Sequence, residues 1–243
     1  MRKRLPLDYF SRVGNFLLDI FFPKLCVKCK REGRYLCKKC TLFISESSLI
    51  CPSCGKAEFF GRRDKRCPKR ELDGLISFWD YEGIVKELIY MTKYGSIIDI
   101  PFELLEYGFL SIEKNKAKFS KFFDFLFQEE TIISYVPLHK KRKNKRGFDQ
   151  AEIIAKSLAK ITKKEYCQLL ERDRETREQA KLKKEERLLN IRDAFSFCCE
   201  KKVESVVLVD DVWTSGFTIK ECCKVLKKNG VKSVWGFTLA KTP

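Results

Sequence analysis

The stretch from residue 206 to residue 218 constrains the fold more tightly than any other part of the chain. It opens with four aliphatic residues, 206–209, and such a run predicts a fully buried strand. Asp210 and Asp211 follow, then the small-residue turn Thr214-Ser215-Gly216, and apolar residues at helical spacing come next. The N–H groups at the start of such a helix favour an anion, whereas paired carboxylates favour sugar hydroxyls or a Mg²⁺ ion. The stretch therefore predicts a strand, a polar ligand-binding turn and a helix of an α/β sheet.

This motif resembles the phosphoribosyl pyrophosphate (PRPP) signature of the type I phosphoribosyltransferases. The resemblance implies that Asp210 and Asp211 contact the ribose hydroxyls. It also implies that the 5′-phosphate is held by the loop residues Thr214, Ser215, Gly216, Phe217 and Thr218. Trp213 is a departure, because the family usually has an aliphatic residue there. The alternative is an ordinary turn between strand and helix, in which the aspartates only cap the helix.

Charge and cysteine content limit the class of protein. The formal net charge of +17 favours polyanionic partners such as nucleic acid, anionic lipid or multiply phosphorylated small molecules. No run of about twenty apolar residues occurs, so we expect no transmembrane segment. Seven of the twelve cysteines are spaced as metal ligands, which argues against a disulfide framework, and no signal peptide is evident. We therefore expect a reducing, cytoplasmic compartment.

Residues 1–24 predict an amphipathic helix. Five apolar residues fall on one helical face, namely Phe10, Val13, Leu17, Ile20 and Phe21. Such a helix could dock on its own protein, or it could lie on a membrane surface or a partner. The mixed charge of its polar face favours docking, and peripheral contact with the inner face of the membrane stays open.

Two Cys-x-x-Cys pairs stand close together near the N-terminus. Cys26 and Cys29 form the first pair, and Cys37 and Cys40 form the second. Each pair can direct two sulfurs at one tetrahedral ion, and four thiolates select zinc over calcium or magnesium. We therefore predict one structural Zn²⁺ site. Redox pairs are the alternative, and an iron–sulfur cluster is disfavoured because nothing else in the chain indicates electron transfer.

A second cysteine set is incomplete. Cys51, Cys54 and Cys67 supply three ligands, and Asp64 is the candidate for the fourth. The second site is thus either a three-cysteine, one-aspartate zinc site or empty. The remaining cysteines lie on apolar stretches, and we interpret them as small core residues: Cys167, Cys198, Cys199, Cys222 and Cys223.

The middle of the chain alternates between strand and helix patterns. Residues 75–81 predict a strand, and residues 84–94 and 97–110 predict helices. Residues 114–121 are basic and polar, and we interpret them as a linker. Residues 131–138 predict the next buried strand.

A strongly basic segment follows that strand. Six of the seven residues at 140–146 are basic, and Gly147 and Gln150 come after them. We expect a loop at the carboxyl edge of the sheet, where open α/β sheets bind ligands, with an Ala-rich helix beyond it. Contact with an oligophosphate or a nucleic acid is favoured over a merely solvated face. His139, the only histidine, is weak evidence for a catalytic base.

A charged stretch at 172–195 predicts either a solvated helix or a mobile lid. Together with the segments described above it forms a pattern of ordered landmarks. These are Val136-Pro137-Leu138 with Arg142 and Arg146-Gly147-Phe148-Asp149-Gln150, then Arg174, Thr176, Gln179, Leu182, Arg187, Asn190 and Ala194-Phe195, and finally the Asp-Asp-x-x-Thr-Ser-Gly loop.

With the Cys-x-x-Cys region in front, these landmarks resemble the ComF family of competence proteins over nearly the whole chain. Asp149 departs from the family pattern, which has Asn there, and the fourth cysteine pair is degenerate. The resemblance implies an open, mostly parallel α/β sheet of the type I phosphoribosyltransferase kind with a small N-terminal zinc module. We accordingly expect an N-terminal helix over 1–24, a zinc-binding module over 25–72 and a phosphoribosyltransferase-like domain over 73–243.

The resemblance also implies ligands and partners. The pyrophosphate of PRPP would meet the basic loop residues Arg142, Arg146, Gly147 and Gln150. With the two aspartates, the candidate catalytic set comprises Lys93, Arg174 and Arg187, the last two bounding a flexible loop. Mg²⁺ would accompany PRPP. The family is linked to natural transformation, in which single-stranded DNA is taken up and a helicase-like competence protein is the usual partner.

Three functions remain open from the sequence. The chain could be an active phosphoribosyltransferase with an unidentified acceptor, a single-stranded DNA-binding module that retains the PRPP pocket, or a scaffold of the DNA-uptake machinery. The pair Asp210 and Asp211 favours the first, because carboxylates facing a nucleic-acid backbone weaken binding. The charge of +17 favours the second, because an enzyme for small molecules does not need it. One protein with both activities satisfies both observations.

Overall fold

The structure is a computed structural model that describes residues 23–68, 71–95, 97–174 and 191–243. The chain divides into two compact units, residues 1–43 and residues 44–243. The predicted N-terminal helix falls almost wholly outside the described residues, as do Arg187 and most of the predicted lid.

The described part of the first unit is built of turns. Leu25 and Glu32 form an antiparallel bridge, and the N–H of Lys30 donates to the carbonyl of Cys26 at 2.8 Å. A 3-10 helix, Cys40–Phe43, follows. Cys26, Cys40 and Leu36 are buried. With so few apolar side chains, this part of the chain gains little stability from a hydrophobic core.

The second unit contains a parallel sheet of four strands. Its strands are β1 (Gly74–Asp80), β2 (Thr131–Tyr135), β5 (Ser205–Trp213) and β6 (Ser233–Lys241), in the order β1-β6-β5-β2. The short strands β3 (Leu170–Arg172) and β4 (Phe195–Phe197) pair antiparallel in a separate sheet. The central strands are aliphatic because a parallel sheet is covered on both faces.

Helices flank the parallel sheet. In chain order they are α1 (Gly83–Gly95), α2 (Asp99–Lys114), α3 (Lys116–Leu126), α4 (Lys140–Arg146), α5 (Gln150–Thr162) and α6 (Phe217–Lys228). Helix α5 packs on β2 and β5, α6 packs on β4, β5 and β6, and α3 packs on β1 and β2. The predicted fold class, a parallel α/β sheet flanked by helices with an N-terminal cysteine cluster, is confirmed.

Two local predictions were wrong. The expected linker at 114–121 is mostly helical, because α3 starts at Lys116 and buries Phe119, Phe122 and Phe125. The expected loop at 140–146 is α4, which ends at Gly147 with a φ of 81°. Both segments are rich in lysine, and their charge obscured the helical pattern. Among the described residues, no helix combines the length and the apolar character that crossing a membrane requires.

Candidate functional site

A cavity of about 390 Å³ opens at the carboxyl edge of the parallel sheet. It brings together ten of the sequence-predicted residues: Lys93, Arg142, Arg146, Gln150, Asp210, Asp211, Thr214, Gly216, Phe217 and Thr218. The ends of β1, β2, β5 and β6 meet here because the strands are parallel. Segments that lie far apart in sequence therefore share one site.

The acidic pair belongs to β5 itself. Asp210 pairs in register with Thr238 of β6, and the pairing continues to Trp213. The N–H of Asp211 donates to the Asp210 carboxylate at 2.8 Å. The two carboxylates are therefore held by a regular strand rather than by a mobile loop.

Lys93 of α1 reaches this pair. Its Nζ lies 2.8 Å from Oδ2 of Asp211. Burial acts to lower the pKa of Lys93, but Asp211, with smaller effects from Tyr81 and Asp210, outweighs burial and raises it. Burial is the main cause that raises the pKa of Asp210 to about 8, and the negative charge of Asp211 acts in the same direction. The site thus keeps Lys93 charged and disfavours a second full negative charge on the pair.

The turn after β5 starts helix α6. Gly216 precedes that helix with a φ of 71°, and the N–H of Lys220 donates to the Gly216 carbonyl at 2.9 Å. The N–H groups of the first helical turn have no acceptor within the helix and can bind an anion. The Ser215 hydroxyl is buried, and no hydrogen-bond partner for it exists among the described residues.

Trp213, the residue that departs from the family pattern, packs directly on this turn. A Cβ at Gly216 would overlap the Trp213 ring. The ammonium of Lys220 lies 5.8 Å from the centre of the Trp213 ring system. Trp213 therefore fills the space beneath the turn and helps to fix its backbone.

Helix α4 forms the opposite wall. Arg142 and Arg146, one helical turn apart, line the cavity. Arg146 donates to Oε1 of Gln150 at 3.1 Å, and Nε2 of Gln150 is buried without a hydrogen-bond partner in the described chain. Gly147 ends α4 and does not line the cavity. His139 accepts from the N–H of Lys141 as the N-cap of α4, and this contact gives it a structural role.

Asp149 fixes the backbone on both sides of α4 through hydrogen bonds. One carboxylate oxygen accepts from the N–H groups of Ala151 and Glu152, and the other accepts from the N–H of Leu138 at 2.7 Å. Burial, partly offset by these backbone bonds, raises the pKa of Asp149 to about 6. The carboxylate has acceptors on both sides, which an Asn amide lacks.

Two further residues of the site escaped the sequence prediction. Arg172, on β3, is buried and lines the cavity, and burial together with Arg142 lowers its pKa to about 10. Tyr94 also lines the cavity. Arg172 is the first residue of the charged stretch that we had interpreted as a solvated helix or a mobile lid, so only tertiary structure reveals its position. Arg174 is exposed and donates to the carbonyl of Arg192 at 2.7 Å, outside the cavity lining.

The first unit contains a candidate metal site. The sulfurs of Cys26, Cys29, Cys37 and Cys40 all lie within 4.8 Å of one another. Sulfurs bound at ~2.3 Å to a tetrahedral ion stand about 3.8 Å apart, and those of Cys29 and Cys37 are 3.6 Å apart. The four thiols therefore fit a structural metal such as zinc.

The second unit contains a three-cysteine group. Cys51, Cys54 and Cys67 gather their sulfurs within the same limit, and those of Cys51 and Cys67 are 3.9 Å apart. Asp64 contributes no carboxylate oxygen to this group. Its carboxylate instead binds Arg66, at 2.8 Å, while its N–H donates to the Cys51 sulfur. The three thiols fit a metal that takes its fourth ligand from elsewhere.

The remaining cysteines separate into two groups. Cys222 and Cys223 are buried in the core, as predicted. Cys198 is exposed, and Cys167 and Cys199 are only partly buried, with their sulfurs 3.8 Å apart. The core prediction was therefore wrong for Cys198, because the segment after β4 runs along the surface.

The fold and the site define a class: an α/β protein with a mixed acidic and basic cavity at the carboxyl edge of a parallel sheet and with cysteine groups suited to structural metal. No family model matches the chain. It is 28% identical over 235 residues to competence protein F of Haemophilus influenzae, a match that covers 90% of this chain and 99% of that protein.

Two other relatives agree. Competence protein ComFC of Bacillus subtilis is 27% identical over 231 residues, which cover 90% of this chain and 85% of that protein. DNA utilization protein YhgH of Escherichia coli is 27% identical over 222 residues, with 90% and 89% covered. These relatives support the predicted resemblance to the ComF family of competence proteins.

Proposed function

We propose that the cavity binds PRPP or a related ribose phosphate, as in a type I phosphoribosyltransferase. One observation carries the proposal: the acidic pair Asp210 and Asp211 lies in the same cavity as the N-terminal turn of α6 and the two arginines of α4. A ribose phosphate presents neutral hydroxyls and two anionic ends. A site with carboxylates at its centre and cations on its walls complements that ligand better than it complements a plain polyphosphate.

Each wall would then contact a different part of the ligand. The carboxylates of Asp210 and Asp211 would accept hydrogen bonds from the ribose hydroxyls. The N–H groups at the start of α6, with the hydroxyls of Thr214 and Thr218, would bind the 5′-phosphate. The buried Ser215 hydroxyl and the Gln150 amide are further donors that a ligand could satisfy.

The reaction that such a site supports is displacement of pyrophosphate from the anomeric carbon. Positive charge builds on the ribose and negative charge on the leaving group, so preorganised cations near the leaving group accelerate the step. Arg142 and Arg146 would supply those cations, with Arg172 behind them. The acidic pair Asp210 and Asp211 would hold Mg²⁺, which would supply further positive charge for the leaving group when bound.

Lys93 would stabilise the acidic pair in the position where it contacts the ligand. Its ammonium lies 2.8 Å from Asp211 and offsets the repulsion between the two carboxylates. Arg174 and Arg187 remain candidates for a loop that covers the ligand.

The relatives' names suggest the setting of this chemistry. Because they are called competence and DNA utilization proteins, we infer that this chain acts in DNA uptake, with single-stranded DNA as a partner. A helicase-like competence protein and the inner face of the membrane are further candidates for contact. The cysteine groups would then form the zinc-binding part of the protein, in line with an N-terminal module at 25–72 and a ribosyl-binding domain at 73–243.

Calorimetric titration with PRPP and Mg²⁺ tests the proposal. We expect binding by the wild type and loss of binding in Asp210→Asn/Asp211→Asn. Asp124→Asn is a matched control, because that exposed carboxylate pairs with Lys121 on α3 and does not line the cavity. Failure of the zinc-loaded wild type to bind PRPP would refute the proposal.

A second candidate function is a non-catalytic nucleic-acid-binding or scaffold module with an inherited pocket. Helix α4 favours it, because none of its residues is buried and six of its seven residues are basic. A chain that binds single-stranded DNA but neither binds PRPP nor releases pyrophosphate from it would support this second function.

A further inference from the structure

The exposed face of α1 carries a cation and two aromatic rings in a row. Lys86, Tyr90 and Tyr94 are spaced four residues apart and so lie along one side of the helix. Tyr90 and Tyr94 are 59% and 55% exposed. Their ring centres are 4.5 Å apart and the ring planes are tilted by 40°. The two rings thus form a continuous aromatic surface that the fold leaves open to solvent.

Helix α4 extends this surface with positive charge. The guanidinium of Arg146 lies 5.5 Å from the centre of the Tyr94 ring, so the two helices meet at that point. On α4, Arg142 and Arg146 line the cavity, and Lys143 pairs with Glu152 at 2.7 Å. Two cations of α4 therefore line the pocket, and a third binds the neighbouring helix α5.

Two lysines of α4 serve neither purpose. Lys140 and Lys145 are exposed, and neither forms an ion pair in the part of the chain that the structure describes. Lys86 on α1 is in the same situation. Exposed lysines without an ion-pair partner add little to the stability of the fold. Lys86 stands one helical turn from Tyr90, and the two lysines of α4 belong to the helix whose Arg146 contacts Tyr94. This arrangement favours binding of a partner over a role in folding.

We propose that Lys86, Tyr90, Tyr94, Lys140 and Lys145 form a track that binds single-stranded nucleic acid. Bases would stack on the two tyrosine rings, and phosphates would contact the lysines at either end. Aromatic stacking combined with cationic backbone contact is the mode by which proteins bind single strands without sequence preference. A duplex fits poorly, because its base faces are already stacked on one another.

The track meets the ribose-phosphate pocket at Tyr94, which belongs to both. A bound strand would therefore place a base at the pocket entrance, next to Arg146. Only the placement of a base at the pocket entrance rests on the proposed function, because strand binding itself does not need an active pocket. Tyr90 lies on the track and outside the cavity lining, so it separates the two activities.

The test is fluorescence anisotropy of the zinc-loaded full chain with labelled oligothymidylate and oligouridylate. We expect Tyr90→Ala to weaken binding of at least one probe by about tenfold, and Tyr90→Phe, which keeps the ring, to bind like the wild type. Lys140→Gln/Lys145→Gln should lower the slope of log affinity against log salt by about 1.4, because two phosphate contacts are lost. PRPP titration of Tyr90→Ala should match the wild type.

Lys160→Gln/Lys228→Gln is the matched charge control. Both lysines are exposed and lie near the carboxyl ends of α5 and α6, at the end of the sheet opposite the cavity. Wild-type affinity of Tyr90→Ala for both probes would overturn the proposal, and so would an equal loss of salt dependence in the control pair. Absence of PRPP binding by the wild type refutes the proposed function alone and leaves this inference standing.

Discussion

Replacing Gly216 by alanine tests the geometry of the turn that precedes α6. Gly216 has a φ of 71°, in the left-handed region, and its Cα faces the Trp213 ring. Alanine would therefore introduce two separate strains. The first is the backbone conformation, which L-residues other than Gly adopt at a penalty, and the second is overlap of the new methyl group with a buried indole.

The two strains can be given magnitudes. Holding a non-glycine residue in the left-handed region costs roughly 1–2 kcal/mol. Forcing an extra methyl group into a packed site typically costs about 1–3 kcal/mol, because the ring or the backbone must shift. We therefore expect Gly216→Ala to lower the free energy of unfolding by about 2–5 kcal/mol, and to weaken ribose-phosphate binding because the turn moves.

Gly147 provides the matched control. Its φ is 81°, and no atom of the described residues lies within 4 Å of a Cβ built there. Gly147→Ala should therefore show only the backbone penalty of about 1–2 kcal/mol. In a Trp213→Leu background the overlap at Gly216 should also vanish, so that Gly216→Ala falls to the same range. A double-mutant cycle isolates this coupling.

Equilibrium urea unfolding at a fixed zinc concentration measures all of these variants. Equal losses in Gly216→Ala and Gly147→Ala would refute the packing argument, since the methyl overlap would then contribute nothing. The same conclusion would follow if the leucine background left the loss at Gly216 unchanged. Either result would mean that Trp213 does not support the turn.

Three shorter predictions follow from other contacts. The free energy of unfolding of the wild type, relative to that of Asp149→Asn, should be ~1.4 kcal/mol larger at about pH 5 than at about pH 7.5. Burial raises the pKa of Asp149 from 3.8 to about 6, so the folded state binds the proton at a higher pH than the unfolded state does. Urea unfolding of both proteins measures this difference, and a difference that grows with pH would contradict the prediction. Gly108→Ala should destabilise the chain by about 1–3 kcal/mol despite better helix propensity, since its methyl group meets the Phe78 ring; thermal unfolding that shows a gain would disprove the overlap. Cys29→Ser should remove one equivalent of zinc by elemental analysis and leave PRPP binding intact, and an unchanged metal content would exclude the four-thiol site.

The strand, turn and helix around Asp210 could be predicted because each carries a strong local pattern. An aliphatic run and a small-residue turn lie within thirteen residues, apolar residues at helical spacing follow directly, and β5 and α6 have the predicted order. The prediction placed the aspartates at the end of the strand. In the structure β5 continues to Trp213, because β6 is long enough to pair with it up to Lys241. Strand length depends on the neighbouring strand, which local pattern does not report.

The walls of the cavity were harder to predict. Arg172 lies on a three-residue strand inside a highly charged stretch, and only its pairing with β4 buries it in the site. Tyr94 is an unremarkable helix residue until α4 is placed beside it. Helix α3 was missed because lysines stand between its phenylalanines, although Phe119, Phe122 and Phe125 repeat every three residues and share a buried face. Charge on one side of a helix can hide the pattern on the other.

The acidic pair and the large positive charge seemed to favour different functions, and their positions remove the conflict. Asp210 and Asp211 lie inside the cavity, where Lys93 binds one of them at 2.8 Å, so their negative charge is largely contained. Lys140 and Lys145 lie outside on α4, within reach of a polyanion. A strand bound along the track would thus meet lysines and aromatic rings, while a ribose phosphate in the cavity would meet carboxylates at its hydroxyls and cations at its phosphates. The two ligands require opposite electrostatics at neighbouring places, and α4 contributes to both, with Arg142 and Arg146 at the cavity and Lys140 and Lys145 exposed to solvent.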